Sequence, residues 1–330
     1  MPSKALFSAL VLALGLAGAG EARAQAAPGA PKKVTLAGGS VGGAWSAIGS
    51  AIGETLRREY PGVSFAYEPG REAANIQLVS QNKVELGIAH AQLAKRAQSG
   101  EEPFRQPIRN VRALAQLDPE AAVQILVRED SGIESLRQIR DAKKPVRVAL
   151  NQRGTLMAVA GEEVFRATGI DPKEIEGWGG RFHYVAYNEG LDMMKAGQVD
   201  LIINMLAFPS GQVTSATREM KVRLLPLSSD AIAKMGEKLG AEGITIPAQT
   251  YAFQPQAVET VTGKVVLFAH ADMKDEEAEA IVAAMLRHFD YLKSAHATLG
   301  RLTPASLASV APLELHPGAA AAYRKAGLLK

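Results

Sequence analysis

The chain has 330 residues, 47% of them hydrophobic, with 37 basic against 34 acidic side chains and no cysteine. The absence of thiols excludes a disulfide framework, a thiolate metal site, a cysteine nucleophile and a lipidated N-terminal cysteine. A near balance of charge, scattered basic pairs such as Arg57-Arg58 and Lys143-Lys144, and an aromatic content of only 5% argue against a nucleic-acid-binding face.

Residues 1–24 read as a secretion signal. Lys4 supplies the charged start, Ala5 to Ala19 the apolar run, and Ala22-Arg23-Ala24 a small-x-small cleavage site. The run has 15 residues, short of the roughly 20 that span a bilayer. The sequence therefore predicts cleavage near Ala24 and a soluble protein working in the periplasm. A flexible leader is expected over 25–33, QAAPGAPKK. Losing Lys4, Glu21 and Arg23 leaves 35 basic and 33 acidic residues, a net charge of +2 that favours no particular ligand charge. About 300 residues remain, enough for two domains with full cores, and no later segment is long and apolar enough to span a membrane.

From Val34, strands alternate with helices. VTLAG is followed by a helix over about Ala44 to Arg58, VSFAYE, a helix over about Ala73 to Gln81, VELGIA, a helix from about Leu93, and VRALAQL. This order predicts an open α/β sheet. Two long β-rich runs, Ala121 to Asp130 and Thr260 to Asp272, are assigned as the crossings between domains. One domain then comprises 34–120 plus about 270–330, and the other about 121–269. The second domain holds VRVALN, a helix from about Met157 to Thr168, a strand at His183 to Ala186, another helix and strand, and VRLLPL at Val222 to Leu227. After the second crossing a helix is expected with Asp272 as its cap and Asp275, Glu276 and Glu277 in its first turn. Its apolar stripe would be Ala278, Ile281, Val282, Met285, Leu286, Phe289 and Leu292.

The middle of the chain repeats its beginning at an offset of about 115 residues. Asn75 to Ala89, NIQLVSQNKVELGIA, matches Gly190 to Asn204, GLDMMKAGQVDLIIN, in apolar pattern, and Gly38 and Gly154 lie 116 apart. Each copy is the end of an amphipathic helix, a polar turn and a buried strand. Two similar α/β halves leave a crevice where strand ends and helix N-termini converge, which suits a small ligand.

The candidate site residues cluster at those ends. Ser40, Gly42, Gly43, Ala44 and Trp45 form a glycine-rich helix start whose N–H groups and dipole favour a carboxylate. The counterpart is Arg153, Gly154 and Thr155, with Arg153 expected to pair with the same anion. Arg71 has a similar claim, with Glu72 beside it as a neutralising neighbour. His90 and Gln92 follow a strand directly, and Asn75 and Asn204 offer amides. No two of the six histidines have metal-site spacing, so neither metal nor cofactor is expected. Gly38, Ser40 and Gly42 also satisfy the G-x-S-x-G nucleophile elbow. A serine hydrolase using Ser40 with Asp200 and His270 or His316 is therefore an alternative, as is a receptor that signals through a membrane sensor kinase.

At Gly39-Ser40 through Trp45, Asn75, VELGIA, LVREDSGIESL, Gly154-Thr155, VDLIINMLAFP, Thr260-Val261 and PLELHPGAAAAYRKAGL, the chain resembles the TAXI family. These are the TRAP-associated extracytoplasmic immunogenic proteins, solute receptors of tripartite ATP-independent periplasmic transporters. The resemblance runs from about Val34 to Leu328. It implies a two-domain, type II periplasmic-binding-protein-like fold that hinges shut on a small organic anion such as glutamate. It also implies delivery to TRAP permease subunits, a monomeric state and no catalytic residues. The chain departs from the family's usual pattern at Arg71-Glu72, at His90-Ala91-Gln92 and at Arg153, which implies a solute other than the commonest one.

Overall fold

The structure, a computed structural model, describes residues 29–330; the expected secretion signal at 1–24 and residues 25–28 of the expected leader lie outside them. The first α/β run is β1 (Lys33–Gly38), α1 (Ala44–Glu59), β2 (Ser64–Pro69), α2 (Glu72–Ser80), β3 (Leu86–His90) and α3 (Ala91–Ser99). It leads into the long β4 (Val111–Arg128). The second run is α4 (Leu136–Asp141), β5 (Arg147–Leu150), α5 (Leu156–Ala167), α6 (Pro172–Gly177), β6 (Arg181–Tyr184), α7 (Tyr187–Lys195) and β7 (Leu201–Leu206). Next come α8 (Gly211–Ala216), β8 (Val222–Leu225), α9 (Ser229–Leu239) and β9 (Glu242–Ile246), then the long β10 (Val258–His270). The chain closes with α10 (Asp275–Arg287), α11 (Phe289–Ser294) and α12 (Pro317–Lys325).

The strands follow the order β2-β1-β3-β10-β4-β7-β5-β6, with β8 also on β4 and β9 also on β10. Two parallel triplets, β2-β1-β3 and β6-β5-β7, flank the antiparallel pair β10 and β4. The repeat seen in the sequence is structural: α2 and β3 begin 115 residues before α7 and β7, and each strand lies between a parallel neighbour and a long antiparallel one. The inner parallel strands are buried on both faces, at Leu86 to His90 in β3 and Leu201 to Met205 in β7, because helices cover both sides.

Three expectations are corrected. VRALAQL and AAVQILVRED are one strand, continuous through Asp118-Pro119-Glu120. The β4–β10 register advances three residues on β4, from Asp118 to Ala121, for two on β10, from Val265 to Gly263. That bulge accommodates Pro119, which has no N–H for the ladder. The strand expected at 183–186 lies at Arg181–Tyr184, in register with β5. The C-terminal helix starts three residues after Asp272, whose N–H is spent on His270 Nδ1 at 3.0 Å while the N–H of Met273 bonds the His270 carbonyl. Lys274 is the N-cap, and the helix breaks at His288 into α10 and α11.

The last helix is seated by a close approach. His316 is fully buried at its N-cap, its Nδ1 accepting the Gly318 N–H, and a Cβ on Gly318 would lie 2.0 Å from the Asp275 carbonyl oxygen. Gly318→Ala should therefore force α12 away from α10 and cost about 2 kcal/mol or more, read as a lower midpoint in urea unfolding.

In the second half, Asp200 accepts the backbone N–H and the guanidinium of Arg147. Burial raises the Asp200 carboxyl, but these bonds more than offset it and hold the group below its usual range. A depressed folded value stabilises the native state above about pH 4 and is lost as the pH falls further. Asp200→Asn should accordingly lose less stability between pH 7 and pH 3 than the wild-type protein does in parallel denaturant titrations.

Candidate functional site

The carboxyl ends of the parallel strands in both halves open on one cavity of about 760 Å³. The loop Gly39–Gly43, the start of α1, Gly70–Glu72 and His90 form the wall on the first half. Asn151, Gln152, Thr155, the start of α7 and Asn204–Ala207 form the wall on the second, and His296–Thr298 lies at one side.

The α1 end is built as an open helix N-terminus. Gly43 is the N-cap in extended geometry, no side chain caps the helix, and its first turn holds no acid. The N–H groups of Gly43 and Ser46 are satisfied by the Ser40 and Gly43 carbonyls. That leaves the N–H groups of Ala44 and Trp45 as the orphan donors of the first turn. Gly42 stands at φ +80° with open space where a side chain would be, so the turn depends on a residue that tolerates the left-handed region. The Tyr67 hydroxyl fixes the loop from behind, donating to the Gly39 carbonyl at 2.8 Å. Burial pushes that hydroxyl up to about 12, the bond to Gly39 acting the other way, so it stays protonated at neutral pH.

The α5 end is different. Glu72, 1% exposed, accepts the Leu156 N–H through Oε1 at 2.8 Å. Its Oε2 accepts the His90 N–H at 2.8 Å and lies 2.9 Å from His90 Nδ1. Beside it, the Ala73 N–H bonds the Gly154 carbonyl at 2.8 Å. Two bonds therefore cross between the halves at this point, and the anion at the second helix start is the protein's own.

Nine of the thirteen expected site residues line the cavity: Ser40, Gly42, Gly43, Ala44, Trp45, Arg71, His90, Thr155 and Asn204. The other four do not. Arg153 turns outward, its guanidinium 3.5 Å above the Tyr184 ring and 3.8 Å from Glu162, with its side chain 69% exposed. Gly154 spends its carbonyl on Ala73. Asn75 donates through Nδ2 to the Gly38 and Ile88 carbonyls, binding β1 to β3 where the strands end. Gln92 accepts the Lys264 N–H at 3.2 Å and ties α3 to β10.

Two lining residues carry buried polar atoms without a partner, His90 Nε2 and Asn204 Nδ2. The His90 ring sits 5.4 Å from the Trp45 ring, while Asn204 Oδ1 accepts from the Met205 N–H and from Asn151 Nδ2. Burial lowers His296, which favours its neutral ring. Among the described residues Arg71 is the one lysine or arginine on the cavity wall, and no group of acids and histidines is placed to hold a metal.

The sequence reading passed over Glu72 as a site residue, and over Asn151 and Asp118, both of which line the cavity. An acid at the first position of a helix that follows a strand end was the available signal for Glu72. The nucleophile-elbow geometry is not assembled: Ser40 lines the cavity, but Asp200 is bonded to Arg147, His270 is held by Asp272 and Asn110, and His316 caps α12.

A sheet of two parallel triplets on two shared antiparallel strands, with a cavity at the strand ends, is the architecture of periplasmic solute-binding proteins. Structural comparison agrees. The chain is similar to MatC from Rhodopseudomonas palustris with bound malate, at 16% identity over 91% of this chain and 100% of that one, with a TM-score of 0.58. It is also similar to PhnD1 from Prochlorococcus marinus in complex with methylphosphonate, at 12% identity over 80% of this chain and 84% of that one, with a TM-score of 0.50. A binding protein component of an ABC phosphonate transporter from Pseudomonas aeruginosa matches at 14% identity over 82% of this chain and 79% of that one, with a TM-score of 0.51. At these identities the likeness is one of fold. Residues 36–327 match the NMT1-like family, and the chain belongs to it.

The Arg153 guanidinium stacks on Tyr184 and the residue does not line the cavity. Arg153→Ala should leave solute affinity within about threefold of wild type in calorimetric titration, a difference under about 0.7 kcal/mol.

Proposed function

We propose that this protein is an extracytoplasmic solute-binding receptor that captures a small organic anion in the cavity between its halves. The observation that carries this reading is the bare N-terminus of α1, whose Ala44 and Trp45 N–H groups and helix dipole face a cavity already bounded by Arg71. His90 Nε2 and Asn204 Nδ2, buried and unpartnered on the same wall, supply further polar groups for the solute. The solutes named for the structural neighbours, malate and methylphosphonate, are small anions.

In this reading the units are 34–120 with about 270–330 and about 121–269, hinged where β4 and β10 pass from one half to the other. The mature protein is periplasmic and monomeric, has no catalytic residues, and hands its solute to a TRAP-type permease as its TAXI-like motifs imply. A small carboxylate, amino acids among them, is the solute class those motifs suggest. Micromolar binding needs about 8 kcal/mol. A helix N-terminus contributes roughly 0.3 to 2 and each charge-assisted bond about 1.5 to 3, so α1, Arg71 and apolar burial against Trp45 reach that range.

A thermal-shift screen of refolded mature protein against carboxylates, sulfonates and phosphonates should show one saturable stabilisation, since a ligand that binds only the native state raises stability by RT ln(1 + [L]/Kd). Ala44→Pro then tests the pole. Ala44 is the first residue of α1 and Gly43 is already extended, so proline suits the helix while removing one N–H. Affinity for the anion found should fall about tenfold or more with folding intact. No stabilisation by any anion, together with Ser40-dependent labelling by a fluorophosphonate, would instead favour the hydrolase.

A further inference from the structure

We infer that Glu72 sets the charge class of the solute, making the cavity a site for monoanions that rejects a second anionic group. This rests on the anion-binding reading above and deepens it.

Five helices of eight or more residues begin with residues that line the cavity or stand next to one that does: α1, α2, α3, α5 and α7. Of these, α1 and α3 start without an acid or a side-chain cap, and at α3 the N–H of the N-cap His90 is taken by Glu72. At α5, Thr155 gives its hydroxyl oxygen to the Ala158 N–H, and Glu72 takes the Leu156 N–H, so two of the first-turn donors are already spent. At α7, Glu189 lies in the first turn. An anionic group brought to this side of the cavity meets the Glu72 carboxylate in a poorly hydrated place and finds the Leu156 and His90 N–H groups taken, which costs far more than the same approach in water.

Glu72 is held there rather than free to swing away. Its two oxygens accept from both halves, Leu156 on one side and His90 on the other, at 2.8 to 2.9 Å. The solute that fits has one anionic group at α1 beside Arg71. Towards Glu72 it presents a hydroxyl, an amide or an ammonium group, with the Asn204 amide as a donor to any acceptor it carries. Discrimination of this kind comes from a repulsive element built against the competitor.

The test uses matched pairs that differ by one anionic group: 2-hydroxybutyrate against malate, glutamine against glutamate, and methylphosphonate against phosphonoacetate. Each is titrated by calorimetry into the refolded mature protein and into two variants. Glu72→Gln removes the charge while keeping an acceptor for Leu156. Glu72→Ala also frees that N–H. The singly anionic member of the pair that binds should be preferred at least tenfold by wild type, and that preference should vanish or reverse in both variants. Binding of the doubly anionic member as tightly as its partner by wild type would overturn the inference and leave the anion site standing. A monoanion preference unchanged in both variants would overturn the role of Glu72. No binding of any member would overturn the anion reading and this inference with it.

Discussion

Every wall of the cavity hangs on one antiparallel ladder. β4 and β10 pair from Val111↔His270 at one end to Ala122↔Thr262 near the other, and each half of the molecule attaches its parallel triplet to one of the two. Where the ladder passes between halves it is bulged, and the Thr260 and Thr262 hydroxyls donate across to the Val123 and Ala121 carbonyls. A bulge weakens regular pairing locally, while those side-chain bonds keep the strands together. The ladder thus joins the halves without welding them, and the carboxyl ends of β1, β3, β5 and β7 are left facing one another. The position of the cavity follows from that connectivity before any site residue is chosen.

Much of this was legible in the chain. Helix and strand periodicity is a local signal, so the repeat of α2-β3 in α7-β7 and the run of elements from β1 to β3 could be read directly. The long β4 was read in two pieces because Asp118-Pro119 is a turn signature, and only the partner strand reveals that the proline sits in a bulge. The helix expected from Asp272 failed for a similar reason. His270 claims two N–H groups in the turn before it, a contact set by the strand that precedes the helix rather than by the helix sequence.

The site was legible by position more than by role. Residues at strand ends and helix starts were found because topology sends them to the cavity. The direction of a long side chain was not: Arg153 is turned aside by Tyr184, a ring 31 residues away in sequence whose hydroxyl donates to Glu162 at 2.6 Å. Asn75 was assigned to the solute and serves the backbone instead, where its amide joins two strand ends that would otherwise leave carbonyls unpaired. Glu72 was seen only as a neighbour of Arg71, since its partner Leu156 lies 84 residues on.

The contrast between the two helix starts gives the molecule its polarity. Sequence symmetry supplies two equivalent strand-to-helix turns, Gly38 to Trp45 and Leu150 to Leu156, and two equal anion poles would follow if both were bare. The chain breaks that symmetry with a single carboxylate. Placed at α5, Glu72 satisfies an orphan donor, neutralises the dipole there and draws the halves together, so the second half contributes its neighbouring α5 residues mainly as hydrogen-bonding wall. The same carboxylate takes His90 as its partner, and His90 stands against Trp45 at the start of α1. The occupied pole is thereby linked through two side chains to the open one. The wall beside α1 is therefore held in part by a bond that crosses between the halves.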